Sequence, residues 1–98
     1  MSRASVELHP EAEAEAREAR LWYAERDPTA AEGFVAALDH AIALAAEGPA
    51  RWPLYLHGTQ RVLTRRYPFA VIYRASPERV LVVAVAHQKR RPGYWRSR

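Results

Sequence analysis

The residues best suited to chemistry follow the apolar run Val80-Leu81-Val82-Val83-Ala84-Val85-Ala86. His87 ends that run, and a histidine that titrates near neutrality can move a proton in phosphodiester cleavage. A histidine at a strand end also serves as a structural group, bonded to backbone or to a carboxylate. Lys89, Arg90 and Arg91 then precede Tyr94 and Trp95, so cations interleave with aromatic rings. Such a surface stacks bases and holds phosphates, and the same composition marks a protein-interface hot spot. Alternatively, Pro92-Gly93 lets the segment turn and pack Tyr94 and Trp95 on the sheet, with the charges left in water. Upstream, Arg61-Val62-Leu63-Thr64-Arg65-Arg66 reads as a basic strand. Alternation sets Arg61 and Arg65 beside Leu63, and Arg66 on the opposite face with Val62 and Thr64. Arginines there can grip phosphates with two hydrogen bonds, or keep a solvated edge from aggregating. Binding roles are expected for Arg61, Arg65, Arg66, Lys89, Arg91 and Trp95.

Charge is divided along the chain. Residues 1–48 hold ten acids and four arginines, whereas residues 49–98 hold ten arginines and Lys89 against Glu78 alone. The halves carry −6 and +10, which the net +4 conceals. A basic half of this strength points to an anionic partner, nucleic acid or an acidic protein segment.

These groups need a scaffold, and the hydrophobic pattern supplies one. Val6-Glu7-Leu8 alternates as a short strand. Pro10 suits a first helical position, with Glu11 and Glu13 in the first turn, and this helix runs to about Arg26. Its apolar side is mostly alanine, with Trp22 and Tyr23 near the end. Asp27-Pro28 reads as a cap and first turn of a second helix. Ala31, Phe34, Val35, Leu38, Ala41, Ile42 and Ala45 form its buried stripe, and Gly48-Pro49 ends it. A loop spans 49–58. Strands follow at Arg61–Arg66, Phe69–Arg74 and Val80–Ala86, the last buried and central, with a hairpin turn at Ala75–Glu78. The order β-α-α-β-β-β predicts an α+β fold, a helical hairpin packed on a small, mostly antiparallel sheet. One domain is expected over 1–98.

Several functions are disfavoured. The chain has no cysteine, and His9, His40, His57 and His87 are widely spaced, so no metal site is expected. Phosphate-binding glycine loops, nucleophile elbows and dinucleotide fingerprints are missing, and no cofactor is expected. Asp39 and Glu47 lie away from the basic half, which disfavours a paired-carboxylate hydrolase. No stretch reads as a membrane span and the N-terminus does not read as a signal peptide, so a cytoplasmic protein is expected.

The pattern resembles the RelE/ParE superfamily of toxins from bacterial type II toxin–antitoxin systems. The resemblance rests on Trp22-Tyr23, on Phe34 and Leu38, and on Arg65-Arg66-Tyr67-Pro68-Phe69-Ala70-Val71-Ile72-Tyr73. Its most specific part is Ala84-Val85-Ala86-His87 with Arg91-Pro92-Gly93-Tyr94-Trp95 and the final Arg98. This ending is similar to that of proteins described as plasmid-stabilisation toxins. The resemblance implies a growth-inhibiting toxin neutralised by a cognate antitoxin that wraps it. RelE-like members cleave messenger RNA on the ribosome without metal, and ParE-like members poison DNA gyrase. A degenerate member would only bind antitoxin. For a nuclease, the resemblance implies catalytic roles for Arg90 and Tyr94, with His87 as a substitute base, and Arg61 falls near a strand lysine. Ala70 stands where those nucleases carry an arginine, and Leu63 replaces a second lysine. The resemblance therefore implies gyrase as the target slightly ahead of messenger RNA.

Overall fold

A computed structural model describes residues 3–98. Strand β1 is Ser5–Leu8, followed by helices α1 (Pro10–Arg26) and α2 (Pro28–Glu47). Strands β2 (Gln60–Leu63), β3 (Phe69–Ser76) and β4 (Arg79–His87) complete the fold. The sheet order is β1-β4-β3-β2, with β1 parallel to β4 and the other pairs antiparallel. The α+β layout read from the sequence holds, as does the central place of β4.

Local chemistry explains the helix boundaries. Pro10 and Pro28 each open a helix, where a missing N–H costs nothing. His9 Nδ1 accepts from the Glu11 amide at 3.1 Å, and Asp27 Oδ1 accepts from the Thr29 amide at 3.0 Å. Asp27 also terminates α1, its amide donating to the Tyr23 carbonyl at 2.7 Å. One residue thus ends one helix and starts the next, which forces the tight hairpin.

The helices cover one face of the sheet. Phe34, Leu38, Ala41 and Ala45 of α2 and Ala12 and Ala19 of α1 pack with Val62, Phe69, Val71, Tyr73, Val80, Val82 and Val85. Alanine on α1 allows that helix to lie close. By length and composition α2 could cross a membrane, contrary to the expectation that no stretch would. Its Phe34 and Leu38 are nevertheless buried in this core, while Glu32, Asp39, His40 and Glu47 are exposed.

Two departures from simple strand alternation matter for function. The second strand ends at Leu63 rather than continuing to Arg66. The Thr64 amide donates to the Phe69 carbonyl at 2.9 Å and its hydroxyl to the Tyr67 carbonyl at 2.8 Å, closing a short loop. Arg66 in that loop has φ +67°, a left-handed conformation incompatible with a strand. It therefore does not share a strand face with Val62 and Thr64. The second departure is in β4. Ile72 pairs with Ala84 while Tyr73 pairs with Val82, leaving Val83 as an extra residue. This bulge shifts the alternation by one. Val80 and Val82 face the helices, and after the bulge so does Val85, whereas Ala84 and Ala86 face away.

Candidate partner-binding face

Opposite the helices, Ala70 and Ile72 of β3 join Ala84 and Ala86 of β4 in a flat apolar floor. The C-terminal segment crosses it. Trp95 is only 2% exposed and packs on this floor. It therefore cannot face a partner as the sequence reading expected: Pro92-Gly93 folds it inward, and it serves as core. Its indole N–H has no hydrogen-bond partner among the described residues.

The turn that carries Trp95 inward is tightly built. Gly93 has φ +86°, and an added Cβ would lie 2.7 Å from His57 Nε2. His57 thus packs against the turn, a structural place in a loop where the sequence singled out no role.

Around Trp95 runs a ladder of rings and cations. The Arg61 guanidinium lies 4.0 Å from the centre of the Tyr55 ring. Tyr55 stacks on Trp95 at 5.7 Å, and Trp95 meets Tyr94 edge-on at 5.4 Å. Arg90 covers the Tyr94 ring at 3.9 Å. Each cation is attracted by the negative face of its ring, so the ladder holds Arg61 and Arg90 in defined positions while leaving their charges exposed. Between them lies a cleft of about 280 Å³, lined by Arg61, Leu63, Ala70, His87, Arg90 and Tyr94 among others.

Of the residues singled out by sequence, Arg61, His87, Arg90, Tyr94 and Trp95 thus converge on one cleft. Arg65, Arg66, Lys89 and Arg91 are exposed but do not line it. His87 stands at the margin. The bulge turns it towards the helix side, where its ring meets Phe69 edge-on at 5.0 Å, and its Nδ1 accepts from the Lys89 amide at 3.0 Å. That is the structural role weighed for it from the sequence.

Tyr94 is also committed. Its hydroxyl donates to Glu15 Oε2 at 2.7 Å. Burial first, then the bond to the Glu15 carboxylate, holds its pKa far above the ordinary 10.0. A phenol held neutral by an internal carboxylate is poorly disposed to surrender its proton to a substrate. Arg98, by contrast, is held more firmly cationic: burial opposes this, but the hydrogen bond and charge of Glu15 outweigh it.

Glu15, which holds Tyr94 and Arg98, is the site residue that the sequence did not single out. It sits three residues after Ala12 and four before Ala19, both buried, so helical spacing placed a carboxylate on the inward face of α1. That was the available signal.

The tyrosines give a pH prediction. Tyr23 and Tyr73 are also raised above 10.0, both mainly by burial. A tyrosine raised in the folded state stays neutral where the unfolded chain ionises. Its stabilising contribution is complete below about pH 10 and is lost as pH climbs through the folded values. The urea midpoint should hold up to about pH 9 and fall between about pH 10 and pH 12, and Tyr94→Phe should fall less steeply. Equal slopes for the two proteins would contradict the assignment to Tyr94.

No curated protein matches this sequence. Among solved structures, a chain described as belonging to the chromosomal ParDE TA system from P. aeruginosa superposes with a TM-score of 0.74. It is 15% identical, and the alignment covers 87% of this chain and 96% of that one, so the likeness is one of fold. The family model for the ParE toxin of the type II toxin–antitoxin system parDE matches residues 6–92. That match takes in the whole helical hairpin and all of the sheet but Ser5, and the chain belongs to the ParE toxin family of type II toxin–antitoxin systems.

Proposed function

We infer that this chain arrests growth when free by poisoning DNA gyrase, and that a cognate antitoxin silences it in the cytoplasm. The observation that carries the choice of target is the cleft between Arg61 and Arg90. Its floor and wall include Ala70 and Leu63, and its tyrosine hydroxyl is bound to Glu15. Metal-free RNA cleavage requires cations around the phosphate and groups free to carry two protons. Here two positions that could hold cations are apolar, His87 faces largely elsewhere, and Tyr94 is occupied. What remains suits a protein partner: fixed arginines and an aromatic ladder around an apolar patch. The +10 charge of residues 49–98 supports an antitoxin that brings carboxylates together with apolar anchors.

Induction of the protein without antitoxin tests this reading. DNA breaks should accumulate while messenger RNA stays uncut, and co-expression of a cognate antitoxin should restore growth. Cut messenger without DNA breaks would replace gyrase with the ribosome as target and return Arg90, Tyr94 and His87 to catalytic roles.

A further inference from the structure

β1 pairs with β4 only as far as Leu8 opposite Val82, which leaves the later part of that edge without a strand. Side chains take its place. The Val85 amide donates to Glu15 Oε1 at 3.0 Å, and Arg98 Nη1 donates to the Val83 carbonyl at 3.1 Å. The same Glu15 oxygen accepts from Arg98 Nη1 at 2.9 Å, and its other oxygen accepts from Tyr94 at 2.7 Å. Arg90 Nη1 lies 3.9 Å from that second oxygen. The Glu15 side chain is only 12% exposed. A carboxylate so far removed from water is stable only when its lone pairs are filled, and here they are filled by groups from β4 and from the C-terminal segment. One helix residue thus ties three separate parts of the chain together.

We propose that Glu15 is a latch: it fastens segment 88–98 across the sheet and thereby positions Arg90 on the partner-binding face. Its own role is to position and not to contact the target. The segment has few other fastenings. Its base is tied to the loop before β3, where the Gln88 amide donates to the Pro68 carbonyl at 2.7 Å, but beyond that point its backbone hydrogen bonds are local, such as the Arg96 amide to the Gly93 carbonyl at 3.1 Å and the Arg98 amide to the Trp95 carbonyl at 2.8 Å. Trp95 contributes burial, but its N–H has no partner among the described residues. Local turns and one buried ring hold a strap weakly against opening. The charge-assisted bonds to Glu15 are the tie between the strap and the rigid helix.

Two variants test the latch. Glu15→Ala keeps helix propensity on a face already rich in alanine, and Tyr94→Phe removes a single hydroxyl without changing shape. In Glu15→Ala, hydrogen exchange at Val85, Arg96 and Arg98 should quicken about tenfold or more, while Val71 and Ile72 in β3 keep their protection. Tyr94→Phe should loosen Arg96 and Arg98 in the same direction, and the double variant should match Glu15→Ala. If Glu15→Ala unfolds throughout, Tyr94→Phe decides. Unchanged strap exchange in Tyr94→Phe would then overturn the latch, as would unchanged exchange in both variants. The positioning claim rests on the partner-binding reading above and has its own readout. Growth inhibition by Glu15→Ala should fall about tenfold with the sheet intact. A loosened strap with full inhibition would overturn the positioning role while leaving the target untouched.

Discussion

Reversing Arg65 and Arg66 to glutamate should slow association with the antitoxin about tenfold or more at low salt. Both side chains are exposed in the loop after β2 and make no ion pair with the described residues. Their contribution is to the field of the basic half, where eleven cations face one acid. Steering by such a field raises encounter rates by about 10- to 1,000-fold and weakens with ionic strength. The double variant, with nine cations against three acids in that half, should therefore also show a weaker salt dependence, with unchanged circular dichroism. Stopped-flow mixing at about 20 and 300 mM salt measures both effects. Equal rates for the wild-type protein at both salts would remove electrostatic capture from the account.

The largest effect on folding should come from Phe34→Ala. Phe34 is fully buried and touches Tyr23, Phe69 and Tyr67, with ring centres 5.5, 5.1 and 5.7 Å away. These rings join both helices to β3 and to the loop that carries Arg65 and Arg66. Removing a buried phenylalanine costs about 3–5 kcal/mol, because transfer energy is lost and a cavity remains. Small domains have about 5–15 kcal/mol in total. Each kcal/mol shifts Tm by about 4–8 °C at this size, so calorimetry should show a drop greater than about 10 °C. A fall below about 5 °C would mean that the aromatic cluster is not the centre of the helix–sheet contact.

Much of the fold was legible because local signals agreed with packing. Asp27-Pro28 marks a cap that the structure uses, and the Phe34, Leu38, Ala41, Ala45 stripe has only one way to be buried. The apolar density of Val80–Ala86 announced a strand with neighbours on both sides, and β4 has them. What failed was governed by tertiary geometry. The end of β2 depends on the tight turn to β3, in which Arg66 takes a left-handed conformation without a glycine or asparagine to announce it. The bulge at Val83 depends on the pairing of β3 with β4, so the side taken by His87 could not be read from alternation alone. The site was legible as a basic, aromatic ending but not in its wiring. Trp95 read as an anchor for a partner with packing on the sheet as a strong alternative, and the floor of Ala70, Ala84 and Ala86 decided for core. Glu15 was hidden because its donors lie 70 or more residues away in sequence.

Under the proposed function, the Arg61–Arg90 face engages a protein target and does not cut RNA. Purified free protein, added in parallel to a gyrase supercoiling reaction and to ribosomes loaded with messenger, tests it most directly. Supercoiling should be inhibited with cleaved DNA trapped on gyrase, and messenger on the ribosome should stay intact. Clean messenger cleavage with gyrase unaffected would contradict it.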